Sequence, residues 1–380
     1  MPLRHGTALP LSLLRHLRRC AGGLGVFLAF ICSPCLALAG DAAVSTYGTS
    51  DFARVEKIDA HMHLHGPAER VIAQAAQDTV RILTINVDYP DFPPIDEQQH
   101  DAIAMHQRHP ERVAFAGTIS VARFGQPDWE AATQQRISEA VQNGAVGIKV
   151  WKNIGMELRD ADGRYVMLDD ARFKPVFDRL ERDGIVLLGH QAEPLNCWLP
   201  FEKMTVRSDQ EYFREHPQYY MFQHPEMPSH EAQLAARDRM LAAHPALHFD
   251  SVHLASLEWD VDEIARFLDR TPQASVDMAA RMVHLQAQAV KGREKVRDFL
   301  IRYQDRVLYG TDIAIGKDAT DEQAATEAHD AWLADWRFLT STDTLTSPDF
   351  AGSFQGLNLP RSVVDKIYHA NARRLFPKAW

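Results

Sequence analysis

The feature that most restricts this chain is a regular alternation of short apolar runs with amphipathic helical stretches. The apolar runs read as strands over 57–65, 80–88, 113–120, 145–152, 185–190, 248–254, 274–280 and 307–312. Between them the apolar spacing is helical over 68–77, 96–108, 128–142, 170–182, 230–243, 260–268 and 286–303. Strands that alternate with helices predict a parallel sheet, and eight of them predict an α/β protein with a distorted (β/α)8 TIM barrel. An open doubly wound sheet is the competing architecture. It is disfavoured because no glycine-rich phosphate loop follows the first strand. Two insertions interrupt the alternation. Residues 158–167 read as a hairpin turning at Asp162-Gly163, and 191–229 form a long loop rich in proline, histidine and aromatic residues after the fifth strand. In a barrel both lie on the catalytic face, and the long loop reads as a lid over a substrate. A last helix is expected over 361–375, opened by Pro360.

The N-terminal residues follow a different rule. A basic lead (Arg4, Arg15, Arg18, Arg19) precedes an apolar run from Leu24 to Ile31 and the small residues Ala37-Leu-Ala39. That is the layout of a secretory signal peptide over 1–39, cut before Gly40, with export to the periplasm or beyond. The apolar run is too short to span a bilayer, so no stable membrane insertion is expected. Residues 40–54 read as an irregular lead and 55–380 as the barrel. Cleavage removes three of the four cysteines, leaving Cys197 alone and no internal disulfide. It also removes four arginines and no acid, which moves the formal charge from −10 to −14. So acidic a chain is a poor partner for nucleic acid or an anionic membrane, which leaves a small molecule as the expected partner.

Within the first strand, Asp59, His61, His63 and His65 alternate with Ile58, Ala60, Met62 and Leu64, which places His61 and His63 on one side. Asp59 or His65, of the same parity, is placed to orient a ligand's second nitrogen. Ionisable groups also close other buried strands: Lys149 in the fourth, His190 in the fifth, His253 in the sixth and Asp312 in the eighth. Such groups are expensive inside a parallel barrel unless paired or bound to a metal. His61, His63, His190 and Asp312 together make a nitrogen-and-oxygen set that Zn2+ accepts. His253 stands beside it as a further ligand or an acid/base. Lys149 reads as a substrate or structural cation; the competing reading is a carboxylated bridge between two metals. Lys152 and Arg281 are the other candidates to bind an anionic substrate. His216, His224, His230 and His244 read as surface residues.

Six motifs in combination, Asp59-Ala-His-Met-His63, Gly147-Ile-Lys-Val-Trp-Lys152, Gly189-His-Gln-Ala-Glu-Pro194, His253-Leu-Ala-Ser-Leu-Glu-Trp259, Tyr309-Gly-Thr-Asp312 and Asn371-Ala-Arg-Arg-Leu-Phe376, resemble the amidohydrolase superfamily. The resemblance runs from about residue 55 to 376 and is closest to the amidohydrolase-related branch, which contains aminocarboxymuconate semialdehyde decarboxylase and related hydrolases. It implies one divalent metal, usually zinc, held by His61, His63, His190 and Asp312, with His253 activating water or polarising substrate, and it suggests a homodimer. It also implies catalysis by His253 and Asp312: hydrolysis of an ester, lactone or amide, or alternatively non-oxidative decarboxylation of an unsaturated or aromatic acid. A non-catalytic exported metal-binding protein is the reading from another class, and it predicts a degraded constellation.

Overall fold

The computed structural model describes residues 45–66, 68–316 and 320–380. The segment read as a signal peptide and the first part of the lead lie outside the described residues. What remains of the lead holds a 3-10 turn, Thr49–Asp51, and a bridge from Thr46 to Pro360.

Nine parallel strands line up in one sheet: β1 (Lys57–Leu64), β2 (Val80–Ile85), β3 (Val113–Thr118), β4 (Gly147–Val150), β5 (Val186–Gly189), β6 (Phe249–Ser251), β7 (Ala274–Asp277), β8 (Val307–Leu308) and β9 (Ala314–Ile315). Their order is β8-β7-β6-β5-β4-β3-β2-β1-β9. The sheet curls closed because 307–315 is one passage with two partners. Towards β7, Leu308 O accepts from Met278 N at 3.1 Å and Thr311 O accepts from Ala280 N at 3.1 Å. Towards β1, Tyr309 O accepts from Ala60 N at 3.0 Å and Asp312 N donates to His61 O at 2.8 Å. The eighth strand expected over 307–312 is thus split into β8 and β9, with Asp312 in the gap. This is a distorted (β/α)8 barrel.

All eight residues of β1 are buried. Its register on β2 slips between Asp59 and Met62, so the simple period of two breaks there. Inside the ring, Ile58, Ala60, Leu83, Ile85, Ala114, Ala116, Leu188 and Leu308 pack with Ala372 and Phe376 from the end of the chain. A larger apolar layer lies between the strands and the surrounding helices.

The expected helices are present, with ends shifted by a few residues, and the hairpin turns at Gly163 with φ 79°. The long loop is folded into short helices, the longest being Arg207–Glu215. One helix, Asp321–Thr340, was not expected from the pattern. Its stripe is Ala324, Ala328, Trp332 and Trp336 at a spacing of four, mixed with acids, and it packs against Glu69–Gln77. The last helix runs 361–375 but widens to a π turn over Lys366–Ala370. The wide turn has a cause: the Ile367 carbonyl leaves the helix ladder and accepts from Tyr309 N at 3.1 Å, fastening the helix to the closing strand.

Candidate metal centre

Three histidines reach the mouth with the same orientation. His61 Nδ1 lies 2.6 Å from Asp277 Oδ2, His63 Nδ1 2.7 Å from Ile85 O, and His253 Nδ1 2.9 Å from Ala279 O. A carbonyl or carboxylate oxygen can only accept, so each Nδ1 carries the proton and each Nε2 of a neutral ring presents a lone pair. Burial lowers the His61 imidazole, with Lys149 adding to the effect, and burial lowers His253 to about 3.

These lone pairs face another acceptor. Asp312 Oδ1 lies 3.3 Å from His61 Nε2 and 3.1 Å from His63 Nε2. Burial works to raise the Asp312 carboxyl, and positive charge placed where the His253, His61 and His63 rings converge on it would hold it well below its ordinary value. Acceptor atoms turned towards one another call for positive charge, which Lys149 Nζ supplies at His61 Nε2 (3.2 Å) and which a metal ion would supply at the Asp312 contacts. One ligand atom from each of His61, His253 and Asp312 lies within 4.8 Å of the others. The Asp312 separations from His61 and His63 are close to the roughly 3.3 Å edge of a tetrahedron of ligands around zinc. His190 adds a buried Nε2 with no hydrogen-bond partner among the described residues, its ring centroid 4.2 Å from that of His253. The residues present therefore fit a divalent metal. The tightest group contains His253 in place of His63 or His190, which makes His253 a ligand candidate on equal terms.

Asp59 does not orient an imidazole. Its oxygens accept from Thr311 N and Oγ1, from Trp332 Nε1 and from the His61 backbone N–H, so it anchors the turn that presents Asp312. The His65 ring lies tilted against Phe92, 4.3 Å between centroids, and its nitrogens have no partner among the described residues. The part expected of these two is filled instead by Asp277, Ile85 O and Ala279 O. Asp277 Oδ1 also accepts from His253 N at 2.7 Å and Ala279 N at 3.2 Å, so one buried carboxylate sets two candidate ligands.

The three cations have different surroundings. Lys149 is buried and donates from Nζ to His61 Nε2 at 3.2 Å; burial lowers it to about 8. Below it, Asp250 is fully buried with both oxygens unpartnered among the described residues, and burial, then Asp277, pushes its carboxyl well up. Lys152 is already engaged: it is bonded to Glu193 and to Tyr212 Oη (3.0 Å) and lies 4.4 Å from the centre of the Tyr219 ring. Arg281 is buried at the wall, 3.9 Å from Asp209 Oδ1, with its Nε–H unpartnered among the described residues. All three line a cavity of about 700 Å3 that also takes in His61, His63, His190, His253 and Asp312 and is walled by Tyr89, Phe92, Trp151 and Tyr212. Among the four histidines read as surface, His230 and His244 are instead buried: His230 between Trp198 and Trp259, and His244 against Phe177. Their helical context concealed this, because one polar residue on a helix does not reveal which side is covered.

The backbone at the mouth is unusual. His253, Leu254, Ala255 and Ser256 all have positive φ, as do Ala280 at 54° and Asp312 at 70°. L residues rarely adopt this conformation, which costs roughly 1–2 kcal/mol each and is retained where the surroundings enforce it. It turns each strand end sharply, so that His253 and Asp312 project into the mouth.

A parallel barrel whose mouth gathers imidazoles and a carboxylate defines a class, the barrels with a candidate metal site at their strand ends. The sequence pattern of the amidohydrolase family, described as Amidohydrolase, matches residues 58–378, and the chain belongs to that family. No curated protein matches it. An uncharacterized TIM-barrel protein from Bordetella bronchiseptica is similar in fold, with TM-score 0.50 and 16% identity over 86% of this chain and 99% of that one. The 2,6-dihydroxybenzoate decarboxylase from Rhizobium gives TM-score 0.49 at 13% identity, over 85% of this chain and 99% of that one. A putative 2-pyrone-4,6-dicarboxylic acid hydrolase from Pseudomonas putida gives 0.45 at 14%, over 86% and 99%.

Proposed function

We propose that this chain is a metal-dependent hydrolase of an ester, lactone or amide bond in a small molecule. The observation that carries the reading is the convergence of the His61, His63 and His253 lone pairs on Asp312 at the floor of the cavity. His61, His253 and Asp312, with His63 and His190 beside them, would hold the metal, zinc being the ion this donor set suits. When bound, the ion polarises a carbonyl and acidifies water. Asp312, held ionised, takes the proton of the attacking water. Lys149, one residue inside the end of β4, faces the charge that develops on the substrate oxygen. His253 cannot donate there as a neutral ring, because its N–H is spent on Ala279 O. It therefore serves as a ligand or acceptor rather than as the oxyanion's partner.

Decarboxylation of an unsaturated acid is the second reading, favoured by the aromatic wall of Tyr89, Phe92, Trp151 and Tyr212, which suits a planar molecule. Export of the chain stays part of the proposal, resting on residues 1–39.

The test is metal content after dialysis, together with a screen of lactones, esters and unsaturated acids. His61→Ala is expected to lose one equivalent of metal that Lys149→Ala keeps, and Asp312→Asn to lose the activity. Carbon dioxide release in place of hydrolysis selects the second reading. No difference in metal between the wild type and His61→Ala overturns both.

A further inference from the structure

We propose that Asp178, Glu181 and His244 form a second site for a divalent transition-metal ion, on the barrel face opposite the mouth. Asp178 and Glu181 stand three residues apart on the helix Lys174–Asp183, on one face. His244 follows the last residue of the helix His230–Ala243. Both helices end just before a strand begins, β5 at Val186 and β6 at Phe249. The cluster therefore sits at the strands' N-terminal ends, away from the candidate centre above.

The geometry is looser than that of a close ion pair, the His244–Glu181 contact being a long hydrogen bond. His244 Nδ1 lies 3.3 Å from Glu181 Oε2 and 3.5 Å from Asp178 Oδ1. One ring nitrogen has at most one proton to give, and it faces two carboxylates. Both separations exceed the ~2.7–2.9 Å of a charge-assisted hydrogen bond. They match instead the ~3.3 Å edge of a tetrahedron whose ligands are ~2.0–2.1 Å from zinc. One ligand atom from each of the three residues lies within 4.8 Å of the others.

The ligands are also held in advance. The His244 side chain is only 4% exposed, its ring edge-on to Phe177 at 5.8 Å. Glu181 is fixed through its other oxygen, which accepts from Ala246 N at 2.7 Å. Asp178 is the adjustable member: Lys174 bonds both its oxygens at 2.7 Å. That lysine side chain is 62% exposed and is free to swing into solvent when a cation arrives. Asp178, Glu181 and Lys174 together carry one net negative charge. One nitrogen and two carboxylates suit Zn2+, Ni2+ or Cu2+ better than Mg2+, which favours an all-oxygen octahedron. An ion there would tie the helix before β5 to the end of the helix before β6 and stabilise the fold by mass action.

The test is equilibrium dialysis of the full chain against micromolar Zn2+, with Mg2+ as the contrasting ion. Wild type is expected to hold one zinc more than Asp178→Asn/Glu181→Gln, and Zn2+ to raise its Tm by more than it raises that of the double variant. Both substituted carboxylates are partly exposed, and equal Tm values in EDTA show that the double variant folds as wild type does. His244→Gln serves as an independent variant with the same expected loss. Equal zinc content in wild type and the double variant overturns the proposal. The His61→Ala protein separates the two centres: it loses the mouth's equivalent and keeps this one. If His61→Ala loses nothing while the double variant loses one equivalent, the function proposed above fails and this site stands.

Discussion

At the scale of single residues, what could be read beforehand was ionisable groups at the ends of apolar strands. His190, His253 and Asp312 are legible on that rule, because burying them without a partner or a metal is costly, and His61 and His63 from their alternation along the first strand. Asp277 obeys the same rule at the end of β7, but an aspartate after Ser275-Val276 also reads as an ordinary turn residue, which hides its role in the sequence. Its carboxylate holds the His61 Nδ1–H and the His253 backbone N–H. Asp277→Asn keeps the shape and removes the charge behind His61. It is expected to weaken metal binding by roughly 10–100-fold, the range for outer partners of metal-bound histidines. Competition with a chelator of known affinity measures this, and an unchanged affinity would leave Asp277 a purely structural group. Asp209, on the helix Arg207–Glu215 and bonded to His284, and Tyr212, bonded to Lys152, carry no such signal. Nothing in a mixed loop says which residues turn inward.

Strands and helices were legible as elements, and their ends were not. The strands stop short of the functional residues: β6 ends at Ser251, two before His253, and β8 at Leu308, four before Asp312. The backbone between is bent into left-handed conformations that no periodicity reports. At Ala280, with φ 54°, the strain is testable because the residue is only half-buried and bears one methyl group. Ala280→Gly is expected to stabilise the fold by up to about 1 kcal/mol, since glycine occupies this region freely. In a chain of this size that is a rise in Tm of roughly 1–3 °C by calorimetry. A fall would show that the methyl group packs more than the backbone strains. The helix Asp321–Thr340 was missed because alanines and acids dilute its stripe. Trp332 and Trp336 are nevertheless fully buried, one of them holding Asp59.

At the scale of the whole molecule, the ring is sealed by long-range bonds and by one buried cation at its edge. Lys57, fully buried at the start of β1, bonds the carbonyls of Phe52 and Val55, pinning the lead to the barrel. Burial lowers its ammonium to about 7, well under the unfolded value of ~10.4. Between those two values the unfolded chain binds more protons than the folded one, so this group makes stability rise with pH from about 7 towards about 10. Thermal unfolding of wild type and Lys57→Met from about pH 7 to about pH 9 should show wild type gaining on the variant, and parallel curves would contradict it. The alternation of apolar runs, by itself, determined the barrel and singled out the ionisable residues at its strand ends, and six short motifs carried the likeness to the family, because hydrophobic periodicity, the cost of buried charge and short motifs are local properties of a chain. Only the tertiary structure decided that Asp277 backs His61, that Lys152 is already paired, that 307–315 closes the ring, and that His244 meets two acids of another helix. Those are relations between residues tens to hundreds of positions apart, and distance in space is set by packing rather than by spacing along the chain.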